Sequence, residues 1–301
     1  MTDVALPEAL QAFLSAGAAP EPCGEGDYAR AYRSGLFIAL HAKTTHASRC
    51  LNTVARLSPL LAPLVPVPIP HVCRHGTVDG RSVIIYPALP GEPLRPEQPR
   101  WLEGRVRARV AEQLAQVISA MQRFPVQQAQ AAGVPVCRFP FAFEEAHLRV
   151  GNERALYAED LRRVEAHAAG GRLPGDLSGE LARRLDRHFA DRPDADLVLL
   201  HGELSADHLL SDGQALCGII DLNGVHLGRP AGELRYLYDS YGEAFVRRML
   251  GQLPHLDPDA TLEEVRFLHT WHHVVRLLWA LDHDHAPGQE RWRYHLSRRL
   301  G

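Results

Sequence analysis

The sequence predicts an α+β fold in two lobes, with a small strand-rich N-terminal lobe, a hinge, and a larger, mostly helical C-terminal lobe. In the N-terminal third, short apolar segments alternate with glycine-containing turns, which is typical of strands. After the segment 87–99, which carries five prolines, the apolar residues recur with a helical period instead. We therefore predict an N-terminal lobe over residues 1–89, including the start of the hinge, and a C-terminal lobe over residues 90–301.

Turn residues and periodicity predict the elements of the N-terminal lobe. In chain order these are a helix over 4–16, strands within 19–42, a helix over 45–58, and strands around 71–75 and 81–86. A glycine-rich turn is predicted at Gly24–Gly26, and Val78-Asp79-Gly80-Arg81 is predicted to join the last two strands. The prolines from Pro59 onward are expected to end the second helix.

The C-terminal lobe begins with a strongly periodic helix from Trp101 to Phe124. Its apolar residues fall on a single stripe formed by Val106, Val110, Leu114, Ile118 and Met121. Further helices are expected within 141–191, followed by two short strands and then by helices to the end of the chain.

Charge and composition exclude several classes of protein. A net charge of -3 at pH 7 provides no basic field for a nucleic-acid partner. No apolar run approaches the ~20 residues that span a membrane, and the N-terminus lacks the pattern of a signal peptide. The five cysteines are scattered and have no metal-binding spacing, so we expect reduced thiols in a cytoplasmic protein.

The segment from Leu197 to Asp221 contains the most informative motif. An apolar run leads into a turn with Glu203, His208 follows five residues later, and a second apolar strand ends at Asp221. Two short strands would thus bring two carboxylates and one imidazole to one edge. Phosphoryl transfer from a nucleotide requires such a set, because one carboxylate orients the attacking hydroxyl while the second and a neutral ligand hold Mg²⁺ on the phosphates.

The order of the motifs resembles that of the aminoglycoside phosphotransferase-type family of small-molecule kinases, whose pattern is His-Gly-Asp-Leu, three residues, Asn or His, and then an apolar strand ending in Asp. His201-Gly202-Glu203-Leu204, His208 and Asp221 match this pattern with one change. The other similar segments are the nucleotide loop Gly24-Glu25-Gly26, the lysine strand Phe37 to Lys43, Val67-Pro68-Ile69-Pro70, the hinge Leu89 to Leu94, and Gly228-Arg229-Pro230 in place of Gly-Asp-Pro.

The resemblance implies a protein-kinase-like fold and an enzyme that transfers the γ-phosphoryl group of ATP or GTP to a hydroxyl of a small molecule. An antibiotic is the acceptor it implies, for resistance or self-protection. Glu203 would act as the catalytic base, with His208 and Asp221 as ligands of Mg²⁺. The nucleotide would be held by Lys43, by the backbone of Gly24 and Gly26, and by the hinge near Tyr86 and Leu89.

The composition independently indicates the role of Lys43. The chain has 33 basic residues, and Lys43 is the only lysine among them. A lysine ammonium is a compact point charge that reaches between two phosphates, whereas an arginine is a wide planar fork. A chain that uses arginine elsewhere has kept lysine at the position where a phosphate contact is expected. The alternative is a lysine that persists by chance on a surface strand.

The sequence departs from the family pattern at several positions. Glu203 replaces the usual Asp, and no acidic residue between Asp27 and Asp79 is available to pair with Lys43, so Asn52, Thr53 or Asp221 would have to orient it. Gly224 replaces an acidic residue that often follows the metal-binding Asp, and Arg229 replaces an Asp that braces the loop. Two alternatives therefore stay open, namely a degenerate, non-catalytic binder of a nucleotide or metabolite and a housekeeping kinase for a small metabolite.

The acceptor side gives weaker signals. Asp239, Glu243, Glu233 and Glu264 would line an acidic cleft for a polycation, or would simply be solvated helix faces. The helix from His269 to Trp279 would form an acceptor wall or pack into the core. His269 and His273 have the spacing of metal ligands on a helix, but the sequence shows no third ligand, so no zinc site is predicted.

Overall fold

The computed structural model describes residues 20–98, 104–137, 153–190 and 196–300. Its contacts form two compact units, one made of Met1–Pro135 with Val198–Leu227 and the other of Val136–Leu197 with Gly228–Gly301. The segment with Glu203 and Asp221 thus belongs to the first unit, and the predicted lobe boundary between residues 89 and 90 stays a prediction. The helix predicted over 4–16 lies outside the described residues, as do parts of those predicted within 101–124 and 141–191.

A five-stranded antiparallel sheet forms the start of the first unit, as predicted. Its strands are β1 Glu21–Glu25, β2 Ala29–Ser34, β3 Phe37–Ala42, β4 Arg74–Val78 and β5 Arg81–Pro87, arranged in the order β1-β2-β3-β5-β4. One face buries Tyr32, Ala39, Val83 and Ile85 against each other. The register of β4 and β5 is set by their turn, because Asp79 and Gly80 both have positive φ, as tight hairpins require. β4 therefore extends to Val78 beside this turn, and it spans Arg74–Val78 rather than the predicted residues 71–75.

The helix α1, Thr45–Leu61, begins at the cap Thr44, whose hydroxyl accepts a hydrogen bond from the Ala47 amide at 3.0 Å. It ends three residues later than predicted, because Pro59 lies in its last turn, where a missing N–H removes only one helical bond. Ser58 fixes this end by donating its hydroxyl to the Pro70 carbonyl at 2.6 Å and accepting the Val72 amide at 2.9 Å. The proline-rich segment that follows is therefore held against the helix.

Among the described residues, the remaining elements of the first unit are short strands and two helices. They are β6 Glu92–Pro93, α2 Gly104–Gln122, α3 Val126–Ala131, β7 Val198–Leu200, β8 Leu209–Ser211, β9 Leu216–Ile219 and β10 His226–Gly228. The strands form a three-stranded sheet, β6-β8-β9, and a pair, β10-β7. The predicted apolar stripe of α2 is confirmed, since all five of its residues are buried. Two strands were predicted before Asp221, and the structure has three, because the residues on either side of the turn at 211–213 form the β8–β9 hairpin in addition to β7.

The second unit is helical. The helices that the structure describes in it are α4 Glu153–Ala169, α5 Leu177–Ala190, α6 Leu234–Tyr241, α7 Glu243–Leu250, α8 Pro258–Asp282 and α9 Ala286–Leu300. Its core contains Tyr157 and Trp271, whose rings meet edge to face at 5.1 Å, and the Trp271 indole donates a hydrogen bond to buried Asp160 at 3.0 Å. This part of α8 therefore packs into the core. Among the described residues, no helix is both long and apolar enough to cross a membrane.

Candidate active site

A cavity of about 650 Å³ opens within the first unit. Most of the predicted site residues line it, namely Gly24, Gly26, Tyr86, Leu89, His208 and Asp221. Lys43 and Glu203 are not in its lining, but each lies beside residues that are. The cavity therefore brings together the glycine-rich turn, the hinge and the two ends of the motif between Leu197 and Asp221, which are far apart in the sequence.

Lys43 follows β3 and reaches the segment that was predicted as a glycine-rich turn. The predicted turn begins too early, because Gly24 and Glu25 still pair with β2 as the last residues of β1, and the turn to β2 begins at Gly26. Its Nζ lies 2.8 Å from Glu25 Oε1 and donates a hydrogen bond to the Gly26 carbonyl at 3.1 Å. The bond and the charge of Lys43 lower the pKa of the Glu25 carboxyl, which is therefore ionised at neutral pH. The partner of the lysine is thus a carboxylate inside the turn motif itself, which the sequence reasoning missed although Glu25 stands between the two predicted glycines.

The residues expected to orient Lys43 have other partners. Asn52 accepts hydrogen bonds from the Ser82 hydroxyl at 2.7 Å and contacts the His75 ring at 2.8 Å. Thr53 donates its hydroxyl to the Gly133 carbonyl at 3.1 Å. The expectation for these two α1 residues was wrong, because both side chains are committed to packing α1 against its neighbours.

The hinge side of the cavity is formed by the end of β5. Tyr86 pairs with Ile38 in the sheet and is buried, and this burial raises the pKa of its phenol, which stays protonated. The Ala88 amide donates to the Leu36 carbonyl at 2.8 Å. The backbone groups from Tyr86 to Leu89 were expected to bind the nucleobase of the nucleotide. The Ala88 amide is not available for this, because it already donates its hydrogen bond to Leu36.

Glu203, His208 and Asp221, which we call the loop cluster, come together at the predicted edge. One ligand atom from each lies within 4.8 Å of the others. Glu203 follows β7, His208 ends a 3-10 turn before β8, and Asp221 follows β9. Short strands with tight turns leave little freedom in where these side chains project, which explains why their spacing in the sequence predicted their proximity.

Two histidines fix the backbone of Glu203. His201 is buried, donates its Nε2–H to the Ile220 carbonyl at 3.0 Å and accepts the Glu203 amide on Nδ1 at 3.3 Å. Burial lowers the pKa of His201 to about 3, so this imidazole is neutral, as its two roles require. His208 donates its Nδ1–H to the Glu203 carbonyl at 2.8 Å. The backbone of Glu203 is therefore held at both its amide nitrogen and its carbonyl oxygen.

Gly202 allows this loop to form. It has φ +86°, and a Cβ at this position would lie 2.4 Å from the Gly224 carbonyl oxygen and 2.8 Å from the His226 ring. His226 in turn bonds the same Gly224 carbonyl at 2.8 Å. The turn with Glu203 is thus in close contact with the segment that follows Asp221, and only glycine fits between them.

Asp221 adopts an uncommon backbone conformation for a non-glycine residue, with φ 66° and ψ 65°. Its carboxylate accepts the Asn223 amide at 3.3 Å and the Asn223 side-chain NH₂ at 2.6 Å. Such strained positions cost of order 1–3 kcal/mol and persist where the surroundings fix them. Asn223 therefore locks the carboxylate towards the cavity, a role that the sequence alone did not reveal.

The loop cluster has the donors for a divalent cation. Because His208 Nδ1 donates its hydrogen to the Glu203 carbonyl, Nε2 is the ring nitrogen available to bind a metal ion, and this atom lies 3.5 Å from Asp221 Oδ2. Two acceptors that face each other at this distance fit the positions of two ligands around one ion. The carboxylates of Glu203 and Asp221 suit Mg²⁺ or Mn²⁺, and His208 adds one neutral nitrogen ligand.

Tyr28 is a further site residue that the sequence reasoning did not single out. It lines the cavity, and burial raises the pKa of its phenol to about 12, with the charges of Cys50, Glu203 and Asp221 adding to the effect. Arg95 and Asp207, which also line the cavity, pair at 2.9 Å. Neither a repeat nor a motif in the sequence indicates these residues.

In the second unit, the replacement of the bracing Asp by Arg229 is compensated. Arg229 makes a two-bond ion pair with Glu264 on α8, at 2.6 and 3.0 Å, and both side chains are largely buried. Glu243 on α7 pairs with Arg266 at 2.6 Å, and Glu233 is buried. Glu264 and Glu233 are therefore not solvated, whereas the side chains of Glu243 and Asp239 stay 38% and 55% exposed.

Comparison with known proteins places the chain in a family. The model of the phosphotransferase enzyme family matches residues 28–291. The chain is similar to a solved GDP complex of wild-type aminoglycoside 2'-phosphotransferase-IIIa, at 25% identity and a TM-score of 0.80 over 95% of this chain and 93% of that one. It is also similar to a GDP and kanamycin complex of an APH(2") enzyme, at 25% identity and a TM-score of 0.79 over 96% and 95% of the two chains.

A macrolide 2'-phosphotransferase from Brachybacterium faecium shares the fold, at 20% identity and a TM-score of 0.67 over 95% of this chain and 97% of that chain. No curated protein matches the sequence significantly. The predicted α+β, protein-kinase-like fold is confirmed by these similarities. Because the family model covers most of the sequence, the chain belongs to the aminoglycoside phosphotransferase-type family of phosphotransferases.

Proposed function

We propose that this protein transfers the γ-phosphoryl group of ATP or GTP to a hydroxyl of a small molecule, and that the acceptor is an antibiotic. The loop cluster is the observation on which the proposal rests, because it places two carboxylates and one imidazole within 4.8 Å of each other beside a cavity lined by the glycine-rich turn. This is the set of groups that in-line phosphoryl transfer requires.

In this proposal Glu203 is the catalytic base. Its carboxylate accepts the proton of the acceptor hydroxyl as the oxygen bonds to the γ-phosphorus, and the bond to the β-phosphate oxygen breaks to release the nucleoside diphosphate. His208 and Asp221 would hold Mg²⁺, which neutralises charge on the phosphates when bound. The contacts of the Glu203 peptide with His201 and His208 support this role, since they fix the loop before the acceptor arrives.

Lys43 is the proposed contact to the α- and β-phosphates. In the structure its ammonium is held by Glu25 and Gly26, both of which line the cavity, and its side chain is 32% exposed. A phosphate that enters this space would compete with Glu25 for the same ammonium. The GDP complexes among the similar structures support a nucleotide in this role.

The acceptor class is inferred from the similar structures, one of which contains kanamycin. The second unit adds a constraint, because Glu243 and Glu264 are paired with arginines. A polycationic aminoglycoside would have to displace these ion pairs or bind elsewhere. Less cationic hydroxyl compounds, such as macrolides, nucleosides or peptide antibiotics, therefore belong in the same screen as aminoglycosides.

Binding of ATP and GTP in the presence of Mg²⁺, measured in parallel on the purified protein, tests the proposal first. Lys43→Ala should weaken binding of the preferred nucleotide by about 10- to 100-fold, since it removes a charge-assisted contact. Lys43→Arg is the matched control, because it keeps the charge but not the compact shape. We expect it to fall between the wild type and Lys43→Ala.

The outcome separates the three functional classes. Saturable binding followed by a phosphorylated product from the antibiotic screen supports a resistance or self-protection kinase. Binding with transfer only to a sugar or amino alcohol supports a housekeeping metabolite kinase. Binding without transfer to any acceptor, or no nucleotide binding at all, would replace the proposal with a non-catalytic binder.

A further inference from the structure

A second group of ligand-bearing side chains lies in the helical unit, where the proposed reaction does not use it. Asp239 near the end of α6 and His269 and His273 on α8 each offer one ligand atom, and these atoms lie within 4.8 Å of each other. We call these three residues the helix cluster. The histidines are one turn apart on one face of α8, and the packing of α6 against α8 supplies the third ligand that the sequence did not show.

Three of the four ring nitrogens of this cluster are buried without a hydrogen-bond partner among the described residues. His269 Nε2 bonds Asp239 Oδ1 at 2.7 Å, but its Nδ1 meets no partner in the described part of the chain. The same holds for both ring nitrogens of His273, a residue that is 1% exposed. Buried polar atoms in folded proteins are normally satisfied by protein, water or an ion.

From these two observations we propose that Asp239, His269 and His273 form a binding site for a divalent transition-metal cation of the Zn²⁺ type. The ion would be coordinated by one ring nitrogen of each histidine and by one carboxylate oxygen of Asp239. Imidazole nitrogen favours Zn²⁺ over Mg²⁺ or Ca²⁺, which prefer oxygen ligands, and two histidines with one carboxylate are a common zinc ligand set. Such an ion would link α6 to α8.

The surroundings allow an ion to enter and to complete its coordination. The Asp239 side chain is 55% exposed, so the cluster is open to solvent on the carboxylate side. The ring of His295 on α9 lies 5.1 Å from that of His273, centroid to centroid, but its nitrogens are not among the ligand atoms within 4.8 Å of each other, so water is the expected fourth ligand. The rings of Tyr238 and Trp292 pack at 4.9 Å from His269 and 5.4 Å from His273. These contacts limit the rotation of the two imidazoles.

Two nearby cations set a limit on the affinity. Burial lowers the pKa of His269, and the positive charges of Arg299 and Arg235 lower it further; the same two charges would repel a metal ion. The only carboxylate of the cluster must offset them. The competing explanation is a polar contact in which Asp239 orients His269 without any ion, and the experiment below distinguishes the two.

The test uses the full chain without a histidine tag, in an Asp221→Asn background that weakens metal binding at the loop cluster. Zn²⁺ binding is measured by calorimetry, and Co²⁺ is used as a spectroscopic substitute. We expect one Zn²⁺ per chain, an intense visible Co²⁺ spectrum indicating tetrahedral coordination, and a higher Tm with Zn²⁺ than with Mg²⁺.

His273→Gln and Asp239→Asn should each weaken Zn²⁺ binding by at least about 10-fold, the lower limit for loss of an outer-shell partner. His283→Gln is the matched control, because His283 is exposed just beyond the same helix. Asp239→Asn alters an exposed side chain and should fold even if His273→Gln does not. Zn²⁺ binding that is absent in the parent, or equal in all variants, would overturn the proposal.

Discussion

The loop cluster and the helix cluster both combine carboxylates with imidazoles, but they differ in which of the two groups is exposed and in how the imidazoles are hydrogen-bonded. In the loop cluster the His208 side chain is 18% exposed and that of Asp221 is 34% exposed, and a backbone carbonyl orients the imidazole. In the helix cluster the His269 side chain is 1% exposed and that of Asp239 is 55% exposed, while three of the four imidazole nitrogens have no hydrogen-bond partner among the described residues. The first arrangement suits an oxygen-preferring ion that arrives with a nucleotide, and the second suits a nitrogen-preferring ion that stays.

The largest effects that sharpen this comparison are expected at the loop cluster carboxylates. Glu203→Gln removes the proposed base, and Asp221→Asn removes a charged metal ligand, so each should lower phosphoryl transfer by about 1,000-fold or more. Release of nucleoside diphosphate with the acceptor found in the screen gives the rate. Asp212→Asn in the exposed turn between β8 and β9 is the control, and it should keep its activity.

Circular dichroism spectra identical to those of the wild type would show that these variants fold. Full turnover in either Glu203→Gln or Asp221→Asn would remove the site assignment. The loop cluster would then have no catalytic use. The comparison of an ion that arrives with the nucleotide at the loop cluster with an ion that stays at the helix cluster would fail as well.

A change in backbone should produce an intermediate effect. Gly202→Ala combines a positive φ with a Cβ 2.4 Å from the Gly224 oxygen, so it should lower the free energy of unfolding by about 3 kcal/mol. Gly35→Ala is the matched control, since Gly35 also has positive φ but no atom lies within 4 Å of the added Cβ, and about 1 kcal/mol is expected. Urea unfolding measures both. Equal losses of unfolding free energy in the two variants would show that the turn at Gly202 and the segment at Gly224 do not pack closely.

The smallest effect on activity is expected at His208, the imidazole that the loop cluster shares in kind with the helix cluster. His208→Asn replaces a neutral nitrogen ligand with a neutral oxygen ligand, so Mg²⁺-dependent transfer should stay within about 10-fold of the wild type. The ratio of activity with Mn²⁺ to activity with Mg²⁺ should fall, because the nitrogen ligand that favours Mn²⁺ is gone. His208→Ala is the control that removes the ligand. An Asn variant as inactive as the Ala variant would mean that the ring itself is required.

The sequence predicted those parts of the molecule whose geometry is local. The Asp79-Gly80 turn, the apolar stripe of α2 and the spacing from Glu203 to Asp221 each lie within one short stretch of chain, so the residues alone determine which side chains meet. A helix that continues past Pro59 needed only a small correction, because the proline falls in the last turn.

The contacts that sequence reasoning missed depend on packing between distant segments. Lys43 meets Glu25 across β2, from the end of a non-adjacent strand, and this requires the register of the whole sheet. Asp239 reaches His269 from another helix, 30 residues earlier in the chain. Patterns along a chain indicate which face of an element is buried, but they do not indicate which polar residue of the neighbouring element lies opposite.

The uniqueness of Lys43 has a practical consequence. Since the chain has no other lysine, a reagent that acylates ε-amines can modify one side chain only, and that side chain is one-third exposed and next to the cavity. Mass spectrometry of the proteolytic peptides would then record the label on Lys43 separately from any label on the N-terminal α-amino group, which has an ordinary pKa of about 7.7–8.0. A ligand that binds beside Lys43 would lower the fraction of Lys43 that is labelled. This fraction would therefore measure how much of the cavity is occupied, without a fluorophore or an engineered cysteine.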